Sequence, residues 1–252
     1  WPGMIPRGQH ALVTGGASGI GAACARALLD AGLEVTVTGR NPERLAAFAK
    51  ETGASFEVMD VSDEASVEAA FARAGAVSIL VANAGAAETA PLRKTPTDLF
   101  ERMLSVNLTG TFLTMRAFLN QADTNAYGRI VAVASTASLK GYAFSSAYAA
   151  AKHGVLGLIR SAALELAGTG MTANAVCPGF TRTAIAEEAA RTIAAKTGRT
   201  EEQALAELAR FNPQGRLVEP DEVAAAVLAL LTQEARSMNG QAIAVDGGET
   251  VR

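Results

Sequence analysis

Histidine, cysteine and aromatic residues are scarce in this sequence, and each scarcity removes a class of function. Two histidines, His10 and His153, and two cysteines, Cys24 and Cys177, stand among 252 residues at no metal or dithiol spacing. Both cysteines have small apolar neighbours and read as buried free thiols, which suits a reducing, cytoplasmic compartment. Aromatics make up only 5% of residues while alanine is abundant, which favours closely packed helices over a β-sandwich. No excess of positive charge is present: 22 basic residues face 25 acidic ones, so neither nucleic acid nor an anionic membrane is an expected partner. The longest apolar stretch, Val77 to Ala87, is broken by Ser78, Asn83 and Gly85 and is too short to span a bilayer. Trp1 to Gln9 has no apolar core and is not a secretory signal; Trp1-Pro2-Gly3 ahead of Met4 reads as an added remnant.

What is present is a regular alternation. Short β-branched runs are expected as strands at Ala11–Thr14, Glu34–Thr38, Phe56–Asp60, Ser78–Ala82, Arg129–Ala134, Thr172–Val176 and Ala242–Val245. Most are almost continuously apolar, the pattern of strands covered on both faces. Between them, helical periods predict helices at Ile20–Ala31, Pro42–Glu51, Glu64–Ala74, Pro96–Gln121, Ser146–Ala167 and Pro220–Leu231. Strand and helix in this rhythm mean βαβ units and a parallel sheet, with residues 1–252 forming a single domain. One segment departs from the rhythm. Thr183 to Arg216 is helical and alanine-rich with no strand before the next helix, and reads as a lid over an active site or as a plain surface hairpin.

Three groups of residues carry chemistry. Thr14-Gly15-Gly16-Ala17-Ser18-Gly19-Ile20-Gly21 joins the first strand to the first helix. Glycines there permit positive φ and close backbone approach, and the helix start offers free N–H groups to a pyrophosphate. After the second strand comes Thr38-Gly39-Arg40-Asn41, without the carboxylate that would bind the ribose hydroxyls of NAD. Arg40, unless merely a solvated loop residue, would accept the 2′-phosphate of NADP, so NADP(H) is preferred and NAD(H) remains possible. Third, Tyr148 and Lys152 stand four residues apart on one helical face, where an ammonium would lower the tyrosine pKa. Ser135, at the carboxyl end of the fifth strand, could hydrogen-bond a carbonyl oxygen.

These features, with Asp60-Val61, Asn83-Ala84-Gly85, Asn107, Pro178-Gly179 and Asp246-Gly247-Gly248, make the chain resemble the short-chain dehydrogenase/reductase family over nearly its whole length. The resemblance implies a Rossmann-type, doubly wound parallel sheet of seven strands in the order 3-2-1-4-5-6-7. It implies that Tyr148 is the acid/base, that Ser135 holds the carbonyl oxygen, and that Lys152 binds the nicotinamide ribose as well as tuning Tyr148. Asn107 would kink its helix and anchor a water in the proton relay. On the cofactor side, Gly15, Ser18, Gly19, Ile20, Gly21 and Gly85 would line the dinucleotide. Asp60 and Val61 would contact adenine, Asn83 would flank the adenosine ribose, and Thr181 and Thr183, after Pro178 and Gly179, would approach the carboxamide. The family also implies a homotetramer pairing the helices at Pro96–Gln121 and Ser146–Ala167 and the last strands. Ala82, Ala150 and Asn239 depart from common family residues without removing a catalytic group.

Lys152-His153-Gly154-Val155-Leu156-Gly157 and Asn174-Ala175-Val176-Cys177-Pro178-Gly179-Phe180 resemble the branch that reduces 3-oxoacyl thioesters and polyketide ketones. Basic residues usual in carrier-protein reductases are replaced by Asn125-Ala126-Tyr127 and Gly168-Thr169-Gly170, which favours a free ketone or a coenzyme A thioester. Ala86, Ala137, Leu139, Tyr142, Phe144 and Phe180 are expected to line the pocket or to pack beneath the lid. The alternatives are an NAD-dependent hydroxyacyl-CoA or secondary-alcohol dehydrogenase and a non-catalytic dinucleotide-sensing scaffold.

Overall fold

A computed structural model describes residues 5–251; the reading of Trp1-Pro2-Gly3 and Met4 as a remnant falls outside the described residues. Seven parallel strands form one sheet: β1 His10–Thr14, β2 Glu34–Gly39, β3 Ser55–Val58, β4 Ile79–Ala82, β5 Gly128–Val133, β6 Met171–Pro178 and β7 Ala242–Val245. Their order is β3-β2-β1-β4-β5-β6-β7, as expected. The helices are α1 Gly19–Asp30, α2 Pro42–Thr52, α3 Glu64–Ala74, α4 Thr97–Leu104, α5 Gly110–Gln121, α6 Ser146–Glu165, α7 Ala184–Thr197, α8 Glu201–Ala209 and α9 Pro220–Leu231.

Because successive strand residues face opposite sides, the central strands feed two cores. Leu12, Leu80 and Ile130 pack with Val67, Phe71, Phe118, Val155 and Ile159 of α3, α5 and α6. Val13, Val37 and Val131 pack on the other face with Leu28, Leu45, Phe48, Val223 and Val227 of α1, α2 and α9. Local signals set the helix ends. Asn41 caps α2 through the Arg44 N–H with Pro42 in the first turn, and Gly53 ends it in the left-handed conformation at φ 81°.

Most element ends shift by one or two residues from the predicted limits, and two departures have a physical cause. The strand expected at Phe56–Asp60 ends at Val58, because the Asp60 carboxylate takes the N–H and hydroxyl of Ser62 while its own N–H goes to Ser66. It lies at the sheet edge, which leaves Phe56 and Val58 exposed rather than covered on both faces. The helix expected at Pro96–Gln121 is broken by a π-helical turn at Ser105–Thr109. Its cause lies in tertiary contacts: the Asn107 amide is drawn out to the backbone of Ala86, and Gly110 packs so closely on Val61 that a Cβ there would lie 2.7 Å away.

The segment that breaks the rhythm is a pair of packed helices, α7 and α8, on a closed base. Thr181 pairs with Val218 in an isolated parallel bridge, so the chain leaves and returns at one point. Gly198 turns the corner at φ 73°, and a capping box between Thr200 and Gln203 starts α8. Among the described residues no helix is long and apolar enough to cross a membrane, and no cluster of His, Cys, Asp and Glu could hold a metal.

Candidate active site

At the carboxyl ends of β1 and β4 the glycine turn forms a cradle. Gly15 and Gly19 take positive φ, 63° and 53°, which explains glycine at both. The Thr14 hydroxyl accepts the N–H groups of Asn83 and Ala84, and the Asn83 amide donates back to the Thr14 carbonyl at 2.9 Å. A Cβ on Gly21 would lie 2.3 Å from the Gly15 carbonyl oxygen. Ser18 stands at the N-cap of α1 without capping it through its side chain, and the first turn holds no acid. The start of α1 is thus left with N–H groups free for an anion, which fits a pyrophosphate. Thr183, remote in sequence, closes over this loop: a Cβ on Gly19 would sit 3.2 Å from its methyl group.

Beyond the cradle stand Arg40, Asp60 and Val61, the residues expected on the adenosine side. Arg40 is exposed beyond the end of β2, and its positive charge reaches Asp60. The Asp60 carboxyl is held below its ordinary range, first by the Ser62 hydroxyl and also by the Arg40 charge. The Val61 side chain is buried against Gly110, so little beyond its backbone remains for a ligand.

At the chemical end, Ser135 follows β5 and starts a 3₁₀ turn over Thr136–Ser138. Its Oγ accepts the Ala137 N–H at 3.1 Å, which leaves its proton to donate. Tyr148 and Lys152 project from α6 toward it. Lys152 is 4% exposed, and its Nζ donates to the Val133 carbonyl at 3.1 Å and lies 5.8 Å from the centre of the Tyr148 ring. An ammonium carries three donors and, among the described residues, only this bond is formed, so it suits a ribose diol. Asn107 is fully buried and donates to the carbonyls of Ala86 and Met103 at 2.9 and 3.0 Å. A Cβ on Gly85 would meet Asn107 Oδ1 at 2.7 Å and Lys152 Nζ at 3.6 Å, so Asn107, Gly85 and Lys152 crowd one point.

The ionisation of the pair differs from the expectation. Rather than being lowered by Lys152, the Tyr148 phenol is raised above its ordinary range: burial is the main cause, and the Ser135 hydroxyl opposes it. Lys152 itself is pulled down to about 8 by burial. In a low-dielectric site each charged form is penalised before its neighbour can help, so spacing on a helix did not determine the direction of the shift. Cys177 beside them is pushed up to about 11, chiefly by burial, which makes it an inert thiol. Cys24 is likewise buried and pushed up to about 12. His153 is spent on the Ala149 carbonyl of its own helix.

Pro178 and Gly179 end β6, Thr181 donates to the Gly179 carbonyl, and Thr183 donates to that of Thr181. Of the expected pocket residues, Ala137 is buried, Ala86 is bound by Asn107, and Leu139 is partly exposed. Phe144 is 62% exposed with φ 67°, and its carbonyl accepts the Ala90 N–H at 2.8 Å. Tyr142 and Phe180 meet edge to face at 6.1 Å, and Phe211 joins them at 5.1 Å from Phe180. Phe211 and the buried Glu249, which accepts from Tyr142, were missed in the sequence; nothing local marks either one. Asn239 also has a role: its amide accepts from the Ala173 N–H and donates to the Ala163 carbonyl, tying β6 to α6.

A family model described as Enoyl-(Acyl carrier protein) reductase matches residues 15–250. A protein of Streptomyces violaceoruber named "granaticin polyketide synthase putative ketoacyl reductase 1" is 40% identical over 249 residues, covering 94% of this chain and 92% of the relative. A D-beta-hydroxybutyrate dehydrogenase of Cupriavidus necator is 38% identical over 251 residues, covering 96% and 97%. The crystal structure of an actinorhodin polyketide ketoreductase variant with NADPH superposes with a TM-score of 0.91 at 36% identity, covering 97% of this chain and 98% of that one. The chain belongs to the short-chain dehydrogenase/reductase family and is an oxidoreductase.

Proposed function

We propose that this member of the family interconverts a ketone and a secondary alcohol with NADP(H), and that it reduces a 3-oxoacyl thioester of the coenzyme A type or a related free ketone. The observation that carries this reading is the gathering of Ser135, Tyr148 and Lys152 between β5 and α6, with Asn107 packed beneath. Similarity to a ketoacyl reductase and to a ketoreductase solved with NADPH supports it. So does Arg40, a cation where an NAD site would carry an acid.

The dinucleotide would be held by the cradle of Gly15, Ser18, Gly19, Ile20 and Gly21, by Arg40, Asp60, Val61, Asn83 and Gly85, and by Pro178, Gly179, Thr181 and Thr183. When bound, it supplies a hydride to the carbonyl carbon. Ser135, whose oxygen is already engaged by Ala137, donates a hydrogen bond to the carbonyl oxygen and fixes its position while keeping its proton. The raised Tyr148 keeps its proton at neutral pH and releases it to the alkoxide as charge develops. Lys152 stabilises the resulting phenolate and holds the ribose hydroxyls, and the kink at Asn107 places a water that resupplies the proton. The helical pair α7 and α8 acts as a lid over this site.

The face formed by α4, α5 and α6 is proposed to build a homotetramer, since it leaves Phe100, Phe112 and Leu164 exposed. The buried free thiols support a cytoplasmic setting. A second reading, oxidation of a 3-hydroxyacyl or other secondary alcohol with NAD, takes support from the hydroxybutyrate dehydrogenase relative. Cofactor preference separates the two. The deciding experiment compares the wild type with Tyr148→Phe on acetoacetyl-CoA and a panel of β-keto esters with NADPH. Turnover should fall at least about 100-fold while NADPH binding persists. No turnover of any ketone by the wild type, or no effect of the substitution, would overturn the reading; an unchanged biological activity of Tyr148→Phe would favour a dinucleotide-sensing scaffold.

A further inference from the structure

Beyond these groups, the segment after β7 places an acid deep beside the ketone site. Glu249 is 3% exposed, although it lies in a short 3₁₀ turn. Its Oε1 accepts from Lys140 Nζ at 3.0 Å and from the Tyr142 hydroxyl. Tyr142 Oη also lies 2.6 Å from Thr136 Oγ1. A phenol has one proton, and here it goes to the carboxylate, so the Thr136 hydroxyl donates to Tyr142. The Lys140 ammonium stands 5.0 Å from the centre of the same ring. Glu249 thus gathers a phenol and an ammonium from one loop.

That loop is the one that carries Ser135. Thr136 immediately follows Ser135, and its carbonyl accepts the N–H groups of Leu139 and Lys140 at 2.9 and 3.0 Å. The next N–H, that of Ala137, is the one that holds Ser135 Oγ. A continuous chain of contacts therefore runs from Glu249 through Tyr142 and Thr136 to the hydroxyl that would orient the carbonyl. The Tyr142 ring also packs against Phe180 and Phe211, so one anchor sets both the polar contact and the aromatic wall.

The anchor is held at a cost. Among the described residues the second oxygen, Oε2, is buried with no hydrogen-bond partner, and it lies against Gly179, where a Cβ would be 3.2 Å away. A buried carboxylate with one unsatisfied oxygen is poor filler beside an apolar side chain of like volume. Its geometric effect is specific: it pulls two side chains of one loop onto one point.

We propose that Glu249 is a positioning residue for ketone binding, fixing the Thr136–Tyr142 loop and, through it, Ser135 and the aromatic wall of the ketone subsite. The proposal rests on the ketone-reducing reading of the site. Glu249→Gln, Tyr142→Phe and the double variant are compared with the wild type, using acetoacetyl-CoA and NADPH. Each single variant should raise the KM for acetoacetyl-CoA about ten-fold, the loss expected of one charge-assisted hydrogen bond, with NADPH affinity unchanged. The double variant should be no worse than the poorer single one, because both changes cut the same chain of contacts.

Amide hydrogen exchange at residues 137–142 should quicken in both single variants while the rest of the sheet keeps its protection. An unchanged KM, additive losses, or an equal loss of NADPH affinity would overturn the proposal. A fall in melting temperature with no change in KM would show mere packing and would also overturn it. If Glu249→Gln does not fold, Tyr142→Phe, which removes a single oxygen, tests the same contact against the same outcomes. If the wild type reduces no ketone, the ketone reading fails by itself. Exchange at residues 137–142 then decides whether Glu249 fixes the loop.

Discussion

The Asn83 side-chain amide donates to the Thr14 carbonyl at 2.9 Å and to the Gly15 carbonyl at 3.3 Å, locking the glycine turn onto the end of β4. One side chain from the middle of the sheet thus shapes the loop assigned to the pyrophosphate. It also fills the space beside Gly21, where a Cβ would lie 2.5 Å from its nitrogen.

Gly21→Ala should therefore break the cradle. The added methyl would meet both the Gly15 carbonyl and Asn83, and neither is a free end that can swing away. Overpacking of this kind costs about 1–3 kcal/mol. NADPH affinity by fluorescence titration should fall by more than about ten-fold. Unchanged affinity would mean that the turn does not bind the dinucleotide.

Lys152 gives a prediction with a definite sign. Burial lowers it from 10.5 to about 8, so between those values the unfolded chain holds a proton that the folded chain has lost. Stability from this group therefore rises with pH through that window, and below about pH 8 the folded chain carries the full penalty of a buried charge. Lys152→Met should stabilise the protein near neutral pH, by roughly 2–3 kcal/mol at most. The gain should shrink to nothing above the upper limit. The same variant should lose reductase activity, and wild-type kcat/KM should fall as pH rises past about 8, where the ammonium is lost. A stability difference that does not vary with pH would refute the assignment.

Arg40 is the test of cofactor choice. It is exposed, and its charge adds to the Ser62 hydroxyl, the larger cause, in holding the Asp60 carboxyl down. Arg40→Ala should weaken NADPH binding about ten- to a hundred-fold and leave NADH binding unchanged, with the loss shrinking at high salt. Comparable kcat/KM with NADH in the wild type would reverse the preference.

Phe144 carries the strain expected at a functional edge. It is the one non-glycine residue with positive φ among those described, at 67°, and its ring is 62% exposed. A side chain in that conformation costs about 1–2 kcal/mol. Phe144→Gly should relieve part of this and raise the denaturation midpoint slightly, offset by the greater freedom of glycine when unfolded. If the ring faces the ketone, KM should rise for aryl and long-chain ketones and stay level for small ones. Equal effects across the panel would remove Phe144 from the pocket.

Much of the fold was legible in the chain because its signals are local. Alternating apolar runs and helical periods announced the parallel sheet, and the glycine turn stood where a strand met a helix. The limits that slipped were those where a side chain competes with the backbone. Asp60 ended β3 by binding Ser62, and Asn107 opened a π turn by reaching for Ala86. The first contact is a turn within two residues, while the second reaches 21 residues back along the chain.

The sequence by itself determined the strand order, through family resemblance, and the residue types at the site: Ser135, Tyr148, Lys152 and Asn107 all come from short motifs. Only the tertiary structure decided their electrostatics. Helical spacing brought Lys152 near Tyr148, but burial, which depends on every packed neighbour, raised the phenol and lowered the amine. It also decided two long-range contacts, Thr183 over Gly19 and Glu249 beneath Tyr142. Such contacts arise when distant loops converge at the carboxyl end of one sheet, and no local period or propensity encodes that convergence.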